Sequence, residues 1–110
     1  MIVPGKFLWV DDMRPAPPGW DWATNFHQAI SMLERGDYEV VSLDHDLGSF
    51  YGTKEMTGMD ILNWLANRQY NAICIPSGIR VHTQNAAAIQ KMKATAHRLM
   101  TKEIESRGFR

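Results

Sequence analysis

Residues 40–47 read VVSLDHDL, and the architecture turns on this stretch. Val40, Val41 and Leu43 are apolar and β-prone, which predicts a strand buried on both faces. The run stops abruptly at Asp44, His45 and Asp46. Two carboxylates and an imidazole at the end of a buried strand are costly without partners, so the fold must have a use for them there. The pattern occurs twice more. Phe7, Leu8, Trp9 and Val10 run into Asp11 and Asp12; Ile79, Arg80 and Val81 run into His82, with Asn85 just beyond. If the three strands are parallel, these groups meet at one rim, where open α/β sheets place their ligands.

The segments between the strands fit that arrangement. Pro15, Pro17 and Pro18 exclude a helix between Met13 and Gly19 and predict a rigid loop, with Arg14 close to the acidic pair. Residues 20–24 (WDWAT) alternate large apolar and polar side chains, as a short edge strand does. Asn25 caps a helix whose apolar face is Phe26, Ala29, Ile30 and Leu33, with Gly36 as its stop. Residues 47–56 contain Gly48 and Gly52 and show no periodicity, which predicts a loop able to close over a ligand. Thr57 and Asp60 open a second helix in the manner of a capping box, with Ile61, Leu62 and Leu65 on its buried face. Residues 71–78 are ambiguous: Ile73 and Ile75 suit either a strand or an irregular approach, and Pro76, Ser77 and Gly78 form a turn. A final helix runs from about Ala86 to Ser106, with a seam of Ile89, Met92, Ala96 and Leu99 and Gly108 beyond it.

The order β, β, α, β, α, β, α with helical crossovers demands parallel strands and right-handed connections. Central strands at 7–10 and 40–43, with mixed edge strands at 20–24 and 79–82, give the spatial order 2-1-3-4. The expected fold is a small flavodoxin-like α/β domain spanning residues 1–110, with helices on both faces. Its switch point lies between the first and third strands.

The bulk properties narrow the function. Lys plus Arg and Asp plus Glu both number 12, so the net charge is zero and nothing global favours nucleic acid or membrane. Cys74 is the single cysteine, which excludes an internal disulfide or a cysteine-built zinc site and points to a reducing cytoplasm. No stretch has the length of a membrane span, and the N-terminus lacks a signal-peptide core.

Asp11, Asp12, Asp44 and Asp46 crowd four like charges unless a cation is present. Converging hard oxygen donors suit Mg²⁺, Mn²⁺ or Ca²⁺. The plainer alternative is that some of them cap helices or pair with Arg14. His45 and His82, at adjacent strand ends, are expected to face one pocket and to serve as acid and base in phosphoryl chemistry. A structural imidazole bonded to backbone is the competing role. Asn85 reads as the cap of the last helix, whose N-terminus then faces the pocket. Thr83, Arg14 and Asp46 complete the candidate substrate contacts. The tryptophans read as core, with Trp20 or Trp22 near the mouth as candidate platforms for a base.

Taken together, LWVDDMRPAPPGW, VSLDHDLG, TGMDILNWL and VHTQN resemble the cyclic-phosphate-processing receiver domains, over about Phe7 to Met92. The resemblance implies a divergent response-regulator receiver fold. It also implies action on cyclic phosphates of nucleotides, such as 2′,3′-cyclic ends or second messengers. Ordinary receivers carry an acidic pair and a strand-ending Asp that hold Mg²⁺ and accept phosphate, and Asp11, Asp12 and Asp44 occupy those places. The chain departs from them in lacking a lysine after a clear fifth strand, in its proline loop and in its histidines. It departs from the family's usual serine in having Thr83. The resulting expectation is a small phosphoesterase with a divalent cation, Mg²⁺ or Mn²⁺, on Asp11, Asp12 and Asp44. His45 and His82 would be its acid and base, with Asp44 a nucleophile in one variant. The alternatives are a bacterial or phage module that binds a cyclic nucleotide without cleaving it, and a degenerate receiver acting through protein contact.

Overall fold

The computed structural model describes residues 6–35, 38–68 and 76–106, residues 68 and 102–106 without their side chains. In chain order the elements are β1 (Lys6–Val10), β2 (Asp21–Ala23), α1 (Phe26–Arg35), β3 (Tyr38–Leu43), β4 (Ser49–Tyr51), β5 (Lys54–Met56), α2 (Gly58–Arg68), β6 (Gly78–Val81) and α3 (Ala86–Ser106). The main sheet is parallel with the order β2-β1-β3-β6, as the strand pattern requires. The expected helix stops at Gly36 and Gly108, and the ambiguous residues 71–75, lie outside the described residues.

Strand register sorts the side chains into two faces. Leu8, Val41 and Ile79 stand side by side, as do Val10, Leu43 and Val81. All but Val81 are buried, and all join one core with Ile61, Leu62 and Leu65 of α2 and Met92, Ala96 and Leu99 of α3. Each such side chain contributes roughly 1.5–3 kcal/mol by leaving water.

The three helices form one row on this face, α2 touching both α1 and α3. This corrects the expectation of helices on both faces. The crossovers from β2 to β3 and from β3 to β6 travel the same way across the sheet, so right-handed connections put both helices on one side. The step from β1 to β2 travels the other way, and it is the proline loop, which cannot be a helix. The second face carries Phe7 and Trp9 instead. Trp20 packs against both, with ring centroids 5.2 Å from Phe7 and 6.0 Å from Trp9.

The helix starts follow the sequence signals. Asn25 Oδ1 accepts the Gln28 amide at 2.8 Å, and Asp60 Oδ2 accepts the Thr57 amide at 2.8 Å. The segment after β3 is not the open loop expected. β4 and β5 pair as an antiparallel hairpin around Gly52 and Thr53. Gly52 has φ +65°, the conformation the first position of a II′ turn demands. The hairpin is anchored by Ser49, whose Oγ accepts the Phe26 amide at 3.0 Å. Among the described residues, no helix is long and apolar enough to cross a membrane.

Candidate functional site

From β1 the chain turns to β2, and from β3 it goes the other way to β6. The crevice between diverging connections is where an open α/β sheet can take a ligand. Each strand's hydrogen bonding continues one residue past its end. The Asp11 amide donates to Ala23 O at 3.1 Å, Asp44 to Val10 O at 2.9 Å and His82 to Leu43 O at 3.0 Å. Backbone bonds therefore fix Asp11, Asp44 and His82 in one row on the rim. Side-chain alternation turns them toward the face that carries Trp9.

Asp11 is fully buried. Its Oδ1 accepts the amides of Met13 and Arg14, both at 2.8 Å, which folds the start of the proline loop around it. Its Oδ2 faces His82 Nε2 at 3.1 Å and Arg14 Nε at 3.3 Å. Burial pushes this carboxyl up, but the two amides and then His82 outweigh it and hold it below the ordinary value. Asp12 is exposed and Asp44 buried, and one carboxylate oxygen from each of Asp11, Asp12 and Asp44 lies within 4.8 Å of the others. Three hard anionic donors at that spacing fit a divalent cation with oxygen preference.

His82 lies beneath this cluster. Its ring stacks on Trp9, with centroids 3.8 Å apart and planes 7° from parallel. Nδ1 meets Ser42 Oγ at 2.7 Å and Nε2 meets Asp11. Burial lowers its pKa, opposed by Asp11 and Asp44. A neutral ring then donates from Nε2 to Asp11 and accepts the Ser42 hydroxyl at Nδ1. Both nitrogens are thereby engaged, Nε2 with Asp11 and Nδ1 with Ser42.

His45 stands elsewhere, so the expectation of two imidazoles facing one pocket is corrected. Its Nδ1 lies 2.9 Å from Asp46 Oδ1. Its ring lines a cleft of about 290 Å³ with Met59, Asn85 and Lys91. The larger cleft, about 410 Å³, holds the three aspartates, Arg14, Asp46 and Thr83, and Asn85 belongs to both. The divergence follows from alternation: His82 turns with the row of Asp11 and Asp44, while His45 is one residue further along its chain.

Asn85 is the cap of α3. Its Oδ1 accepts the Ala88 amide at 3.1 Å, while its Nδ2 reaches Asp46 Oδ2 at 3.3 Å. Thr83 Oγ1 accepts the Asn85 amide at 3.1 Å. Arg14 spends Nη2 on the His82 carbonyl at 3.1 Å and Nε on Asp11 at 3.3 Å, and it lines the cleft with the rest of its guanidinium. Trp22 Nε1 donates to Asp11 O at 2.8 Å, and Trp20 belongs to the aromatic cluster.

Sequence reasoning missed Ser42 and the role of Trp9. The available signal was a lone hydroxyl inside an apolar strand, two residues before the strand-end aspartate.

A family model for the cyclic-phosphate processing receiver domain matches residues 6–98. No curated protein and no solved structure matches the chain. The matched span contains the six described strands, both clefts and the aspartate row. The chain belongs to the family of cyclic-phosphate-processing receiver domains.

Proposed function

We propose that this domain is a phosphoesterase that opens cyclic phosphates of nucleotides by hydrolysis. The observation that carries the reading is the convergence of Asp11, Asp12 and Asp44 on one point of a ligand-sized cleft, next to an imidazole paired with a carboxylate. Asp11, Asp12 and Asp44 would hold Mg²⁺ or Mn²⁺, which when bound neutralises the cluster and polarises a phosphoryl oxygen. Without a cation this cleft repels phosphate, because Asp46 adds a fourth carboxylate and Arg14, already engaged, is the one cation lining it among the described residues.

The chain's own groups divide the work. Arg14 offers its open N–H groups to a phosphoryl oxygen. Asn85, which lines both clefts, forms the wall between them, with Thr83 on the side of the larger. Hydrolysis forms a bond from a water oxygen to phosphorus and breaks the bond from phosphorus to one ribose oxygen. His45 lines the smaller cleft and is oriented by Asp46 through Nδ1, so Nε2 is the nitrogen outside that pairing. That nitrogen suits proton delivery to the departing ribose oxygen, with the nucleoside in the smaller cleft. His82 acts through Asp11: it is a positioning residue, keeping that carboxylate ionised and aimed.

The test is incubation with 2′,3′-cyclic mononucleotides and cyclic dinucleotides, with Mg²⁺, Mn²⁺ or EDTA, read by chromatography. Multiple turnover that is lost with EDTA and in Asp44→Asn supports the reading. Saturable binding at one nucleotide per chain, without product, replaces it with a binding module.

A further inference from the structure

We infer that the open edge of β6, with the groove between β6 and α3, is a docking site for an extended acidic segment of a partner protein that joins the sheet as a fifth strand. The inference does not rest on the phosphoesterase reading. Among the described residues β6 is an edge strand, paired only with β3 on its other side. The His82 amide donates inward to Leu43 O, so alternation turns the backbone groups of Ile79 and Val81 outward. Among the described residues the Ile79 amide finds only the Met100 thioether, at 3.4 Å. Sulfur is a weak acceptor, so the buried Ile79 leaves a strong donor poorly paired.

The groove beside this edge has a volume of about 550 Å³ and a segregated lining. Val81, Ala96 and Met100 make an apolar floor, and the exposed Arg80, Lys93 and His97 stand around it. Among the described residues no acid lines it, although acids equal bases over the whole chain. Proteins usually blunt exposed edges with charge, and one sign of charge around an apolar floor selects as well as protects. An incoming strand supplies carbonyls for the two outward amides, alternate apolar side chains for the floor, and Asp or Glu for the cations. A nucleic-acid backbone would use the cations but neither the apolar floor nor the edge amides.

The test pans a phage-displayed library of random peptides of about ten residues against the full chain. The expected winners alternate apolar residues with Asp or Glu. A synthetic copy is expected to slow hydrogen exchange at the Ile79 and Val81 amides. The double variant Arg80→Glu, Lys93→Glu alters two exposed side chains, so it should melt like the parent and bind that peptide about tenfold more weakly. Failure to enrich any peptide overturns the inference, as do winners without acidic bias, unprotected edge amides or undiminished affinity in the variant. Binding of a uridine oligonucleotide through Arg80 and Lys93, without peptide binding, overturns it in favour of RNA.

Discussion

Gly58 is the position where the packing makes its sharpest demand. It opens α2, and its amide donates to His45 O at 2.9 Å. A Cβ there would run into the carbonyl of Asp44 and sit 2.8 Å from Met92 Cε. The methionine end can move. The Asp44 carbonyl cannot easily, because the Asp44 amide is bonded to Val10 O in the sheet. Overpacking against such an obstacle costs about 1–3 kcal/mol, and a backbone obstacle places Gly58→Ala near the upper end, about 3 kcal/mol. An unfolding entropy of about 2 cal/mol/K per residue gives a chain of this length about 0.2 kcal/mol/K, so Tm should fall by about 10–15 °C. The sign is diagnostic, since alanine for glycine in open space near a helix start stabilises by about 0.4–1 kcal/mol. Thermal melts followed by circular dichroism, together with urea midpoints, measure the effect. Adding Met92→Ala should not restore the loss. A fall of less than about 2 °C, or recovery in the double variant, would refute the claim that the start of α2 is pressed against the backbone of the aspartate row.

Three more outcomes follow from the same structure. His82→Phe keeps a ring on Trp9 but removes the partner of buried Ser42 Oγ and a donor to Asp11, so denaturant midpoints should report a loss of about 1–3 kcal/mol. If the aspartates hold Mn²⁺, saturating metal at about a hundred times its Kd should stabilise the parent by about 2.7 kcal/mol in thermal shift, with the gain abolished by EDTA and absent in Asp44→Asn. Asp60 is pushed up by burial, but the Thr57 amide and Lys54 more than offset this, leaving it below the ordinary 3.8. Its contribution is therefore complete above that value and lost as pH falls through the lower folded one, so the stability gap between parent and Asp60→Asn should close in acid urea titrations.

The main sheet, the helix starts and the aspartate row are legible along the chain. Period-two and period-3.6 patterns report which faces are buried, and β1, β3 and β6 are apolar enough for the polar break at each end to stand out. Asn25, Thr57 with Asp60, and Asn85 cap helices through contacts three residues away, which local sequence can encode. The β4–β5 hairpin had one legible signal, Gly52 at the head of a two-residue turn, but strands of three residues show no periodicity. The remaining features depend on contacts between distant parts of the chain. The proline loop and two same-direction crossovers put α1 and α2 on one face, where α3 joins them, leaving Trp9 on the other to receive His82. The bridge from Ser42 through His82 to Asp11 joins three strands, and no spacing along the chain encodes where a side chain lands across neighbouring strands. The same geometry separated His45 from His82: both close an apolar run, but His82 is the first residue past its strand and His45 the second, and alternation along an extended backbone sends them to different clefts.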